Sequence, residues 1–358
     1  MTRVTVIAEA GVNHNGDLQR ALALVDAAAQ AGADAVKFQT FVPEALASRH
    51  AAQAEYQVRN DTTAHDSQLA MLQQLALPFA DHPALLARCE ERGITFLSSP
   101  FDTQSAHFLL EELKLPRLKL GSGELTNGPL LLQIAQAQRP MILSTGMATL
   151  AEIREALGVI AFGFLQTDAP PCRDAFAAAF EDTQAQSLLR ERVTLLHCTT
   201  EYPCPLNQVN LRAMDTLRDT FGLGVGYSDH TEGSHVALVA VARGAQVIEK
   251  HFTLDRSLPG PDHQASLEPA ELQGMIEGIR ALEMVLGSAD KQPAPAEIAN
   301  MSVARKSLVA ARPIAAGETF SADNLSVKRP GTGRSPMDYW ALLGQTARRD
   351  YDADEVIE

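Results

Sequence analysis

Residues 224–251 read GVGYSDHTEGSHVALVAVARGAQVIEKH. An apolar run ending in polar residues (GVGYSDH) leads into a helix-patterned stretch (SHVALVAVARG) and then a second apolar run ending in Glu249, Lys250 and His251. That is strand, crossover helix, parallel strand. Working outward, the same unit recurs along the chain. VTVIAE precedes DLQRALALVDAAAQAG, DAVKFQT precedes a long irregular segment ending in the helix PALLARCEERG, and ITFLSS precedes TQSAHFLLEEL. RLKLGS, MILSTG and VTLLHCTT are each followed by helical patterns, and VIEKHF precedes PAELQGMIEGIRALEMVLG. Near-continuous apolar strands joined by helices make a parallel sheet covered on both faces. Eight such units over residues 1–287 fit a closed α/β (β/α)8 barrel, and strand 1 carries no GxGxxG that would favour a dinucleotide-binding open sheet.

The remaining chain departs from this rhythm. Residues 161–192 make the link between helix 5 and strand 6 longer than an ordinary αβ connection, and are expected to be an insertion carrying one extra helix. Residues 288–303 are a Pro/Ala-rich linker. Residues 304–358, with short strands and Gly/Pro turns, form a small β-rich domain that needs a partner surface.

The composition of the 358 residues, 46% hydrophobic, supports a large core. A net charge of −14 excludes bulk nucleic-acid binding, which requires a basic face. The N-terminal apolar run is too short for a secretory signal and no stretch approaches a membrane span, so a cytoplasmic location is expected. The 4 cysteines lack CxxC spacing and are expected to be free thiols.

In a parallel barrel, polar residues at the C-terminal strand ends project into the cup where substrates bind. Strand 1 ends in Glu9, strand 2 in Lys37 and Gln39, strand 3 in Ser98 and Ser99, and strand 4 in Lys119, Ser122 and Glu124. Strand 5 ends in Ser144 and Thr145, strand 6 in His197, Thr199 and Thr200, strand 7 in Ser228, Asp229 and His230, and strand 8 in Glu249, Lys250 and His251. Solvation of single surface residues does not account for polar groups at all eight ends of apolar strands. On strand 8, Glu249 and His251 share a face and Lys250 points the other way. His251 and His230 on adjacent strands suit an open site for a borderline divalent ion such as Mn²⁺, Co²⁺ or Zn²⁺; two hydrogen-bonding rim histidines are the alternative. KLGSGE and STG place Lys119, Ser122, Ser144 and Thr145 beside helix starts, either as a phosphate cradle or as tight turns alone.

AEAGVNHNGD, DAVKFQT, SSPFD, KLGSGE, STGM, LLHCTTEYP, YSDHTEG, VIEKHFTLDR, GPDHQASL and VKRPGTG, in this order, span nearly the whole chain. In them the sequence resembles the sialic acid synthase (N-acetylneuraminate synthase) family, and the C-terminal segment resembles its antifreeze-like SAF domain. The resemblance implies a metal-dependent transferase, with Mn²⁺ as the leading ion and Co²⁺ or Mg²⁺ behind it. It would condense phosphoenolpyruvate with N-acetylmannosamine to give N-acetylneuraminate and phosphate. An N,N'-diacetyllegionaminate synthase or another nonulosonate synthase is the alternative within the class, and an aldolase or a non-catalytic sugar-binding protein lies outside it. Lys119, Ser122, Ser144, Thr200 and Ser228 would hold phosphoenolpyruvate, Thr200 standing where some relatives have Asn. Gln39, Tyr202 and Asp262 would contact the sugar, His230 and His251 would bind the metal, and Glu9, Lys37, Glu124 and Glu249 would position groups and move protons. The resemblance also implies a homodimer in which the SAF domain of one chain caps the other's barrel and Arg329 reaches the N-acyl group.

Overall fold

A computed structural model describes residues 3–60 and 67–358. The chain divides into two compact units, residues 1–287 and 288–358. In the first, eight parallel strands, β1 (Thr5–Gly11), β2 (Ala35–Thr40), β3 (Thr95–Pro100), β4 (Leu118–Leu120), β5 (Met141–Ser144), β6 (Val193–His197), β7 (Gly224–Asp229) and β8 (Val247–His251), pair in the order β3-β2-β1-β8-β7-β6-β5-β4. Packing of β3 beside β4 closes the ring into the expected barrel.

Side-chain alternation sorts each strand into two faces. Outward residues such as Val6, Val36, Leu118, Leu143, Leu195, Val225 and Ile248 pack under the surrounding helices as the main core. Inward, Ile7, Ala35, Leu97, Ile142, Leu196 and Val247 form a separate apolar floor. β7 adds no side chain to it, because a Cβ on Gly226 would sit 2.4 Å from the Val247 carbonyl and 2.6 Å from Leu196 Cδ2. Two residues further along the same strands come Glu9, Lys37, Ser99, Ser144, Cys198 and Glu249, so the floor gives way to a polar layer in one step of the pleat.

Local signals set the helices that hold this ring. Asp17 caps Leu18–Gln30, accepting from the Arg20 amide, and a Thr149–Glu152 capping box opens Leu150–Leu165. The β2–β3 connection carries the short helices Pro43–Leu46, Glu55–Asn60 and Gln68–Leu75 before His82–Arg92. The stretch expected to be an insertion from residue 161 begins later, because the helix Leu150–Leu165 runs on past its start. Two helices, Arg173–Glu181 and Thr183–Arg192, then fill it where one was expected.

In the second unit the expected linker is partly helical (Pro295–Ala304), with Pro295 at its first turn and Glu297 folding back onto the Ala294 amide. β9 (Ser307–Ala310) and β10 (Leu325–Lys328) pair antiparallel over a core of Leu308, Ile314, Phe320, Leu325, Tyr351 and Ile357.

One buried group in the β1 loop ties stability to pH. The His14 ring is buried, and its Nδ1 accepts from the Gly16 amide at 3.0 Å. Burial, reinforced by the charges of His82 and Arg20, lowers its pKa to about 4, against an unfolded value near 6.5. Between these values the unfolded chain binds the extra proton. This contribution is therefore complete above about pH 6.5 and is lost as pH falls toward 4, amounting to about 3 kcal/mol. Denaturation midpoints of wild type and His14→Gln at pH 7.5, 5.5 and 4.5 are expected to converge as pH drops; a gap of constant size would contradict the assignment.

Candidate functional site

All the residues to which the family resemblance assigns a substrate, metal or proton-transfer role, except Arg329, line one cavity of about 400 Å³ at the C-terminal end of the barrel. Arg329 lies in the second unit, exposed, with its Nε donating to the Ala304 carbonyl at 3.0 Å. Several strand-end residues counted toward the rim do not line the cavity. Ser98 bonds Thr40 and the Phe38 carbonyl, Thr145 the Leu196 carbonyl, Thr199 the Gln208 carbonyl and His197 the Val209 carbonyl. Asp229 forms a fully buried pair with Lys250 at 3.1 Å. These lie one residue out of phase with the inward face, and serve packing.

The cavity floor is an ionic network. Lys37 Nζ lies 2.6 Å from Glu9 Oε2, 3.7 Å from Glu249 Oε2 and 3.2 Å from Ser99 Oγ. Lys119 Nζ lies 3.2 Å from Glu249 Oε1, which also accepts from Ser228 Oγ at 2.7 Å. Two carboxylates and two ammonium groups, all buried, balance in charge but differ in environment. Burial works against ionisation of both carboxylates. At Glu249 the opposing pull of Lys119 and Lys37 wins, and its pKa falls well below the usual range. At Glu9 burial, with repulsion from Glu249, outweighs Lys37 and raises the pKa to about 7. Lys37 stays protonated because Glu249 and Glu9 overcome its desolvation, whereas desolvation lowers Lys119. A carboxyl poised near neutrality beside a fixed ammonium is suited to proton transfer.

On the β4–β6 side, Ser122 Oγ accepts from the Gly146 amide at 3.0 Å and lies 3.1 Å from Cys198 Sγ. A Cβ on Gly146 would lie 2.6 Å from Thr200 Oγ1 and 2.8 Å from Ser122 Oγ, so only glycine leaves this concavity open. Ser144 Oγ and Thr200 Oγ1 are buried without a protein hydrogen-bond partner. Hydroxyls beside a lysine, with bonding capacity unused by the protein, are the chemistry of an oxyanion cradle. Glu124, in the turn above, accepts from Asn127 Nδ2 at 2.7 Å, and burial raises its pKa.

On the β7–β8 side, the His230 and His251 rings stand 5.6 Å apart, centroid to centroid. Burial lowers His230 to about 4, and lowers His251 well below its ordinary value with help from His230 and Lys37. His230 Nδ1 donates to the Thr199 carbonyl at 2.6 Å, leaving Nε2 as the lone-pair nitrogen, while His251 Nδ1 is buried with no hydrogen-bond partner. Among the described residues no group of three or more His, Cys, Asp or Glu is arranged to hold a metal. His230 Nε2 lies 3.3 Å from Ser228 Oγ, whose proton goes to Glu249, and with the unbonded His251 Nδ1 it makes two neutral imidazole donors that would fit an open divalent site completed by solvent or substrate oxygens. Asp262 Oδ2 lies 3.8 Å from His251 Nδ1, and burial raises its pKa to about 6.

The Tyr202 ring lies tilted against His230, 4.2 Å between centroids, and also packs on Tyr56, 4.9 Å away. Asn60 Nδ2 donates to the carbonyls of both Tyr202 and Pro261, at 2.8 and 3.2 Å, tying the helix Glu55–Asn60 to two loops of the mouth. Tyr56 was missed because that helix is too short to show a period. Cys198, read only as a free thiol, was accessible to parity: it stands midway between Leu196 and Thr200 on the inward face.

A closed parallel barrel with this cup defines a barrel enzyme, and similarity to known proteins narrows it. Residues 24–291 match the NeuB family and residues 305–358 the SAF domain. The chain belongs to the NeuB family, and is a transferase of the nonulosonic acid synthase class. It is 48% identical over 100% of its length to the N,N'-diacetyllegionaminic acid synthase of Campylobacter jejuni, covering 99% of that protein. With the synthase of the same name from Legionella pneumophila it shares 43% identity, over 98% of this chain and 92% of the relative. The solved N-acetylneuraminic acid (sialic acid) synthetase of Leptospira borgpetersenii, in complex with citrate, superposes with a TM-score of 0.66 at 30% identity, over 84% of this chain and 90% of the other.

Proposed function

We propose that this protein condenses phosphoenolpyruvate with 2,4-diacetamido-2,4,6-trideoxymannose, yielding N,N'-diacetyllegionaminate and phosphate. The family resemblance points first to N-acetylmannosamine, with the diacetamido sugar as the alternative; the 48% and 43% identities to N,N'-diacetyllegionaminic acid synthases favour the diacetamido sugar. The observation that carries the chemistry is the union in one cavity of a lysine-and-hydroxyl cradle on β4–β6 and a neutral imidazole pair on β7–β8.

Lys119, Ser122, Ser144, Thr200 and Ser228 hold the phosphate and carboxylate of phosphoenolpyruvate. His230 and His251 would hold a divalent ion, Mn²⁺ for preference, which would supply Lewis-acid polarisation of the sugar aldehyde. The enol carbon C3 then attacks the aldehyde carbon, and that oxygen takes up a proton. Water adds at C2, losing a proton to Glu9, which sits between Lys37 and Gln39. The hemiketal phosphate so formed breaks its C–O bond to release phosphate. Glu249 anchors both lysines, and Glu124 is a second carboxyl at the rim. Gln39, Tyr202 and Asp262 contact the sugar, and in a homodimer Arg329 of a second copy reaches its N-acyl group.

Phosphate release measured with the diacetamido sugar, N-acetylmannosamine and N-acetylmannosamine 6-phosphate is expected to favour the first by about tenfold or more in kcat/KM. A preference for N-acetylmannosamine would return the assignment to a neuraminate synthase.

A further inference from the structure

The cavity has a wall that none of these roles uses. Its phosphate side is built on β4–β6 and its imidazole side on β7–β8, so an aldehyde held at the imidazoles and facing the enol carbon leaves the rest of an open-chain sugar toward β1–β3. At that rim the lining changes character. Val12 and Phe101 follow β1 and β3, Leu46 comes from Pro43–Leu46, and Met71, Leu72 and Leu75 come from Gln68–Leu75. Val12, Met71 and Leu75 form with Phe41 a hydrophobic cluster distinct from both barrel cores, and Leu46, Leu72 and Phe101 pack against it, half-buried. Among the described residues, no charged side chain lines this wall above Glu9 and Lys37, and the polar side chains that the short helices add to the lining are Gln57 and Gln68.

A solvent-facing rim has no need of a leucine, methionine and phenylalanine surface turned into a cavity whose floor is ionic and whose other sides carry hydroxyls, imidazoles and tyrosines. We infer that this wall determines specificity at the far end of the sugar, selecting a 6-deoxy substrate whose terminal carbon is a methyl group over one ending in hydroxymethyl. The inference rests on the proposed function and deepens it. A terminal hydroxyl placed against Leu46, Met71, Leu72 and Leu75 gives up water for carbon neighbours, whereas a methyl gains contact. The wall recognises C6 and is indifferent to the substituent at C4, which separates it from the acylamino contacts assigned to Gln39, Tyr202 and Asp262.

The test uses a pair of sugars matched at every other carbon, N-acetylmannosamine and its 6-deoxy counterpart, with the full-length protein, phosphoenolpyruvate and Mn²⁺. Wild type is expected to favour the 6-deoxy sugar by about 10–100-fold in kcat/KM. Leu72→Asn and Leu46→Asn are expected to reduce that ratio about tenfold, chiefly by raising KM for the deoxy sugar. A wild-type ratio near one overturns the inference whether or not the variants fold, and so does an unchanged ratio in folded variants. Absence of phosphate release with every sugar, the diacetamido compound included, strikes instead at the proposed function.

Discussion

Glu249→Ala is expected to melt well below wild type and to lose turnover together with affinity for phosphoenolpyruvate. The carboxylate is the joint of the ionic floor: it faces Lys37 at 3.7 Å and Lys119 at 3.2 Å and accepts from Ser228 at 2.7 Å. Its removal leaves two buried ammonium groups sharing Glu9 alone, and burial, with repulsion from Glu249, has already raised Glu9 to about 7. Truncating one partner of a buried ion pair costs about 3–5 kcal/mol, because the remaining charge stays desolvated. In a unit of this size that corresponds to a fall of roughly 10 °C in Tm. Part of the loss is expected to return with phosphate, whose oxyanion supplies the missing charge next to Lys119. Thermal melts with and without phosphate read both effects. A variant that melts within 2 °C of wild type would show that the lysines are solvated or deprotonated in the folded protein, and the cradle would lose its basis.

How far the sequence reaches can be judged strand by strand. Period-2 parity, applied to β8, correctly separated Glu249 and His251 from Lys250, and the structure places Lys250 in a buried pair with Asp229 behind the site. The same parity applied to β6 excludes His197 and includes Cys198; composition drew attention to the histidine instead. The polar layer was legible because it begins two residues after an apolar floor on each contributing strand, and only a barrel brings those positions to one height. The apolar wall was not legible. Its residues come from helices of 4 and 8 residues inside a long connection, too short to establish a period, and their hydrophobicity reads as ordinary core until the cavity is seen beside them. The helix Pro295–Ala304 was hidden for a related reason, since a Pro/Ala-rich segment reads as a stiff linker although proline is at home in a first helical turn.

His251→Ala separates the imidazole pair from the ionic floor beneath it. The expected result is a loss of turnover of about 10³-fold or more, with a melting temperature close to wild type and a Mn²⁺ affinity, read by electron paramagnetic resonance, too weak to measure. The fold is expected to survive because His251 Nδ1 makes no hydrogen bond within the protein and the ring is neutral, so its removal strands no buried charge. What it takes away is a lone pair, and with it half of the protein's donor set. Treating wild type with EDTA should reproduce the kinetic loss, reversibly on adding Mn²⁺, whereas the variant should not recover at any Mn²⁺ concentration the assay tolerates. Lys250→Met, on the opposite face of the same strand, supplies the contrast. Breaking its fully buried pair with Asp229 should lower the melting temperature while leaving the lone pairs of both imidazoles in place. Full activity in His251→Ala, or in a preparation shown to be free of divalent metal, would mean that the two rings serve only as hydrogen-bonding rim residues and that the aldehyde is activated by Lys37 or Lys119.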